Sequence, residues 1–310
     1  MTETLFNAYT PLILWTSLGL FICRFLPQWL PRFLGRGLYW FGVPLELFAL
    51  ARQSQLGNFN NEIGLPLIVP IITVGTLLLG LMVMLLVLWR FKGYSHTRAS
   101  FILAAVLGNT GFVGLAIAPF LINSDALGWA VLYSITHNVI GPYGLGVVVA
   151  SYFNQSKSST CWWMQLREIL TVPCLWAFLV GILTQKVQFP QTIESGLQGS
   201  ISIVIACAFL LTGIRLAQLQ GWKSLKLALL PATIKVCVIP LLVGIVTTWL
   251  LGLSGDRRLA MVLMSGMPSA FAGLILAEEY NLDRDLIASS IIISTLLLLL
   301  MLPLWMLVFG

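Results

Sequence analysis

Two short stretches place small, polar and helix-breaking residues inside otherwise apolar runs. One is Gly108, Asn109, Thr110 and Gly111, followed by Gly114; the other is Gly266, Pro268 and Ser269, followed by Gly273. Relative to alanine in a helix interior, glycine costs about 1 kcal/mol and proline about 3 kcal/mol. Both stretches therefore read as helix breaks. The second half of a broken helix begins with unpaired N–H groups, whose partial positive charge attracts anions. Thr110 and Ser269 sit where N-caps belong. Asn109 offers both donor and acceptor groups. Two opposed ends near one point would each contribute roughly 0.3–2 kcal/mol toward a carboxylate. The chemistry implied is reversible binding of a small organic anion, with Asn109, Thr110, Gly111, Pro268 and Ser269 as candidate contacts. Asn138, beside Gly141 and Pro142, joins them because it needs no titration to act. The competing reading is close helix packing through small residues, which is common in membranes. Two breaks at corresponding positions weigh against it.

Other residues could couple or latch. Glu46 and Lys235 lie at similar depth within apolar runs, where ionisable groups are expensive and default to function. They are a candidate pair, to be weighed against a static buried ion pair or a snorkelling lysine. His137 could carry protons near neutral pH, although a lone histidine among polar neighbours is more often structural. His96 and His137 are far apart, and the five cysteines are scattered without a CxxC pair. No metal site, cofactor or catalytic residue is expected. A membrane-embedded enzyme would need clustered Asp, Glu or His, and the apolar runs offer no such cluster. No Walker A motif points to ATP as the driving force.

The elements that position these residues follow from composition. Of 310 residues, 58% are hydrophobic and only 9% charged, and mean hydropathy is +0.95. Soluble domains run near a quarter charged, so a soluble enzyme is excluded. A bilayer span takes about 20 apolar residues. Runs bounded by charged and polar clusters predict ten helices, at 5–26, 34–52, 65–90, 96–122, 126–153, 167–185, 194–216, 225–252, 256–280 and 284–309. The runs are continuous, whereas an outer-membrane barrel needs alternating segments. The N-terminus carries Glu3 and no basic region, so the first run reads as a retained span.

The net charge of +6 points to cytoplasmic loops before nucleic acid. Arg24, Arg32, Arg36, Arg90, Lys92, Arg98, Lys157, Arg167, Arg215, Lys223, Lys226 and Arg284 fall in or beside the loops after odd-numbered helices. Arg52, Lys186, Arg257 and Arg258 fall on the other side. This bias places both termini on the non-cytoplasmic side of the cell membrane.

The fourth helix contains GNTGFVGLAIA and the ninth MPSAFAGLILA. Aligned without gaps, Phe112, Gly114, Leu115 and Ala118 match Phe271, Gly273, Leu274 and Ala277. Each segment is the fourth span of a five-span half. Five is odd, so the second half is inverted, as in inverted-repeat secondary transporters. The expected fold is an all-α membrane protein of two inverted five-helix repeats, 1–153 and 167–310. A short cytoplasmic link at 154–166 joins them.

At GNTGFVGLAIAPFL and MPSAFAGLILAEEYNLDRDLIASSIIISTLL, and at GVPLELF and IKVCVIPLL, the chain resembles the auxin efflux carrier family, which includes the plant PIN-FORMED carriers and bacterial relatives. The resemblance implies a fold like that of sodium/proton antiporters and bile-acid symporters. Helices 1, 2, 6 and 7 would form a scaffold, with helices 3–5 and 8–10 as an elevator-type transport domain in which helices 4 and 9 are broken and cross. It also implies auxin-like or dicarboxylic acid substrates, transport in the direction of efflux, and a homodimer through the scaffold. The link at 154–166 is short where plant members often carry a long hydrophilic loop. The alternative is a sodium- or proton-coupled organic-anion symporter of the bile-acid type.

Overall fold

In hydrocarbon every backbone polar group must be satisfied within the protein, and a continuous apolar run does this as a helix. The computed structural model describes residues 2–27, 29–53, 65–89, 95–153, 173–218 and 224–310. Among the described residues the regular elements are all helical, with a single isolated backbone bridge between Gly108 and Ser269. The expected link at 154–166 lies outside them, as do Arg90, Lys92, Lys157, Arg167 and Lys223.

Helix α1 spans Thr2–Ile22. Helix α2, Leu30–Gly37, passes through a wide π turn at Leu38–Gly42 into α3, Val43–Gln53. Helix α4 spans Leu65–Trp89. The expected fourth helix appears in two pieces: α5, Ser95–Val106, then a π turn at Thr110–Gly114 leading into α6, Leu115–Leu121. Helix α7, Ser124–Ile140, continues through a π turn at Gly141–Gly146 into α8, Val147–Phe153.

In the second half, α9 spans Pro173–Leu183 and α10 spans Gln191–Gln218. Helix α11, Leu225–Thr233, passes through a π turn at Ile234–Val238 into α12, Ile239–Trp249. The expected ninth helix is again in two pieces, α13 at Gly255–Ser265 and α14 at Phe271–Glu279. Helix α15 spans Arg284–Phe309, the range expected from sequence, and Asp283 caps it by accepting the Leu286 N–H at 3.0 Å.

Among the described residues five segments are long and apolar enough to cross a membrane: Phe6–Phe25, Leu67–Trp89, Gln191–Gln218, Leu225–Trp249 and Arg284–Phe309. Their outward faces agree. Along α4, Leu67, Ile71, Leu78, Leu85 and Leu86 recur at helical spacing and are exposed, Ile71 by 69%. Apolar surface this extensive on a monomer fits lipid.

Helix α1 lies along α10, and α9 along α3, which also touches α10. A second set joins α4, α5 and α7 with α11 to α15, and contacts of α1 with α6 and of α3 with α7 run between the two. Backbone contact fixes the first pair. A Cβ on Gly213 would lie 2.1 Å from the Thr16 carbonyl oxygen, and one on Gly19 would lie 2.3 Å from that of Leu210. Small residues of this kind let helices approach closely where lipid offers no hydrophobic drive for association. Arg52 ties the end of α3 to the turn after α9: it donates to the carbonyls of Thr184 and Val187 and pairs with Glu194 at 2.5 Å.

Candidate functional site

The first break spans Leu107 to Asn109 and the second Gly266 to Ala270. They meet. The Asn109 N–H donates to the Pro268 carbonyl at 2.7 Å, and the Ala270 N–H donates to the Leu107 carbonyl at 2.9 Å. These bonds flank the antiparallel bridge between Gly108 and Ser269. A freed backbone group in hydrocarbon costs several kcal/mol, so each break is the other's solution. Pro268 has no N–H to offer a helix, yet its carbonyl is used.

Side chains satisfy the groups that remain. The Gly108 N–H donates to His137 Nε2 at 3.3 Å. The Ser269 N–H donates to Ser294 Oγ at 3.0 Å, and Ser269 Oγ donates to the Ala104 carbonyl at 2.7 Å. Lys235 Nζ donates to the Val106 carbonyl at 3.2 Å, at the C-terminal end of α5, where helix carbonyls favour a cation. Lys235 and His137 are both buried, each 1% exposed. A Cβ on Gly108 would come within 2.9 Å of Lys235 Nζ, so the missing side chain leaves room for the ammonium. Three of the π turns hold this neighbourhood: Thr110–Gly114 follows the first break, Ile234–Val238 carries Lys235, and Gly141–Gly146 follows His137 and Asn138. Such wide turns are frequent at functional sites.

The caps differ from the expectation. Asn109, not Thr110, caps the half-helix after the first break, its Oδ1 accepting the Phe112 N–H at 3.3 Å. Thr110 is buried, and its Oγ1 accepts from Ser134 Oγ at 3.4 Å. Ser269 does not cap α14. The N-cap is Ala270, which has no side-chain oxygen to give. The break extends one residue further than a Ser cap needs, because Ala270 is engaged with Leu107.

A cavity of about 470 Å³ opens beside the crossing. Gly108, Asn109, Gly111 and Phe112 line it from the first break, and Ala270, Phe271 and Ala272 from the second. Asn138 faces it, and its Nδ2 donates to Ser134 Oγ at 3.2 Å. The start of both second half-helices thus reaches one space. Of the residues expected to bind substrate, Asn109, Gly111 and Asn138 line the cavity. Thr110, Pro268 and Ser269 stand behind them as supports. Glu46, Lys235 and His137 are not among the lining residues.

Glu46 and Lys235 are not joined. Lys235 reaches Val106, and Glu46 Oε1 is buried without a hydrogen-bond partner among the described residues. Similar depth in two helices does not fix the direction in which each side chain points, so the expected pairing does not form.

Three arginines also line the cavity: Arg32 and Arg36 from α2 and Arg215 from α10. No Asp or Glu is among the described lining residues. Sequence reasoning counted these arginines with the charges in or beside the loops. The available signal was the position of Arg215 directly after the apolar run SIVIACAFLLTGI, inside a helix that continues to Gln218.

Residues 39–306 match the family model described as membrane transport protein. The chain belongs to this family, that of the auxin efflux carriers. The match covers both breaks and Arg215, and it begins after Arg32 and Arg36. An uncharacterized transporter of Methanothermobacter thermautotrophicus is 27% identical over 269 residues, covering 85% of this chain and 84% of its own. An uncharacterized transporter of Methanocaldococcus jannaschii is 27% identical over 237 residues, covering 74% of each chain. Membership in the auxin efflux carrier family makes this a multi-pass membrane transporter and not an enzyme.

Proposed function

We propose that the protein is a secondary carrier of small organic anions, auxin-like or dicarboxylic acids, working in the direction of efflux. The observation that carries this reading is the cavity into which both interrupted helices direct their second halves. Unsatisfied N–H groups at Gly111, Phe271 and Ala272 would hold a carboxylate, and Asn109 and Asn138 would orient it. The three arginines belong to the basic side of the charge count, and in that orientation the cavity would face the cytoplasm. A cytoplasmic anion would enter it directly. Expulsion of a monovalent anion from a negative interior gains about 2.3 kcal/mol per 100 mV, so efflux needs no coupling ion.

In this reading the chain crosses the cell membrane ten times as two inverted five-helix repeats, with both termini on the non-cytoplasmic side. The packing of α1, α2, α3, α9 and α10 supports a scaffold, which would also hold a homodimer together. The helices bearing the breaks form the part that slides against it. The backbone pairing of the two breaks favours their moving as one piece.

Counterflow in proteoliposomes tests the reading. Purified protein should exchange a labelled organic acid for the same unlabelled acid, saturably and without sodium or a pH gradient. Failure with auxin-like acids, monocarboxylates and dicarboxylates alike would refute it. Flux that requires sodium would favour the bile-acid-type symporter instead.

A further inference from the structure

The arginines pose a problem that the helix ends alone do not solve. Arg215 lies near the start of α14: its Cζ is 5.1 Å from the centroid of the Phe271 ring. Phe271 is the first residue of that helix. The guanidinium therefore stands beside a helix end of the same sign. Arg32 and Arg36 line the same cavity from α2. Among the described residues none of the three has a carboxylate partner. The three add positive charge to that of the helix ends, Arg215 half-buried and Arg32 and Arg36 exposed.

The neighbourhood is shaped around Arg215. Gly35 of α2 faces its guanidinium, and a Cβ there would come within 2.8 Å of Arg215 Nη2. The Phe271 ring also lies against it, a contact favourable to a cation. Guanidinium presents a planar fork of donors that matches a carboxylate in two parallel hydrogen bonds. A volume of about 470 Å³ falls in the range of small-molecule sites.

We propose that Arg215, with Arg32 and Arg36, forms a second anion subsite that holds the far anionic group of a dianionic substrate, making the carrier selective for short dicarboxylates over monocarboxylates. The inference rests on the carrier reading above. One carboxylate sits at the crossed helix ends, and the other is gripped by arginine. Arg215 comes from α10 and Phe271 from α14, so a dianion held at both subsites bridges the two sets of helices.

The test compares malonate and succinate with acetate and butyrate in proteoliposome counterflow, using the full chain, Arg215→Gln, Arg215→Lys and Gly35→Ala. Wild type is expected to prefer the dicarboxylates. Arg215→Gln should lower the ratio of dicarboxylate to monocarboxylate transport efficiency by about tenfold or more, the scale of one lost charge-assisted contact. The loss should appear mainly in KM for the dicarboxylate. Arg215→Lys, which keeps the charge but not the fork, should restore part of the ratio. Gly35→Ala displaces the guanidinium without removing it and should lower the ratio in the same direction, so a poorly folded Arg215→Gln does not stop the test. Equal loss for both acid classes, or a wild type without dicarboxylate preference, overturns the subsite while leaving the carrier reading intact. Absence of counterflow with every acid overturns both.

Discussion

The backbone N–H of Asn109 donates to the carbonyl of Pro268 at 2.7 Å, across the point where two interrupted helices cross. The same asparagine caps its own half-helix through Oδ1 and lines the cavity. It thereby joins three tasks that separate substitutions can take apart.

Asn109→Ala removes the cap and the side chain facing the cavity but keeps the backbone bond to Pro268. Cap loss costs about 1 kcal/mol, which should leave a folded protein with a slightly lower melting temperature in detergent. Anion counterflow should fall by at least about tenfold. Asn109→Asp keeps a good capping residue and places a negative charge beside the binding space. It should melt near the wild-type temperature and yet lose transport. A variant set in which flux follows melting temperature alone would count against the anion site.

The break positions were legible in the sequence because Gly108, Gly266 and Pro268 each oppose helix continuation by their covalent structure. That property is local. The pairing of Asn109 with Pro268 was foreshadowed by the alignment of the two segments and by the crossing that the family resemblance implies. The arginine lining was not legible: counting charges by loop assigns Arg215 to solvent, whereas α10 carries it past the apolar run into the cavity wall. The cap at Ser269 was misplaced because the reach of a break depends on which tertiary partner its last amide finds. Here Ala270 finds Leu107.

Gly213→Ala tests the packing of α1 on α10. The new Cβ would meet the Thr16 carbonyl oxygen at 2.1 Å, against backbone that cannot rotate away. Overpacking of this kind costs about 1–3 kcal/mol, so the melting temperature should drop clearly. Gly37→Ala is the control, since a Cβ there meets nothing within 4 Å. Equal melting of the two variants would show that the helices separate more easily than their contact implies.

Glu46 and Lys235 provide a second test of geometry. Because no ion pair joins them, the stability changes of Glu46→Gln and Lys235→Gln should add in the double variant to within about 0.5 kcal/mol. Chemical unfolding in detergent would measure the sum. A coupling energy well above that figure would show a pair that forms outside this conformation.

Ser294→Ala leaves the Ser269 N–H without the acceptor it now has at 3.0 Å. A buried donor deprived of its partner costs about 1–3 kcal/mol. The variant should be less stable than Ser290→Ala, whose hydroxyl donates to a carbonyl of its own helix, that of Leu286, at 2.7 Å. Thermal melts of the two proteins side by side decide it.

Stitching the interruptions to one another has a genetic corollary. Damage at Gly108 or Asn109 unpicks the far seam at Pro268 and Ala270 as well, though the two lie in opposite halves of the gene product. Lesions on either side should therefore phenocopy each other, and a suppressor of one is to be sought across the crossing rather than beside it.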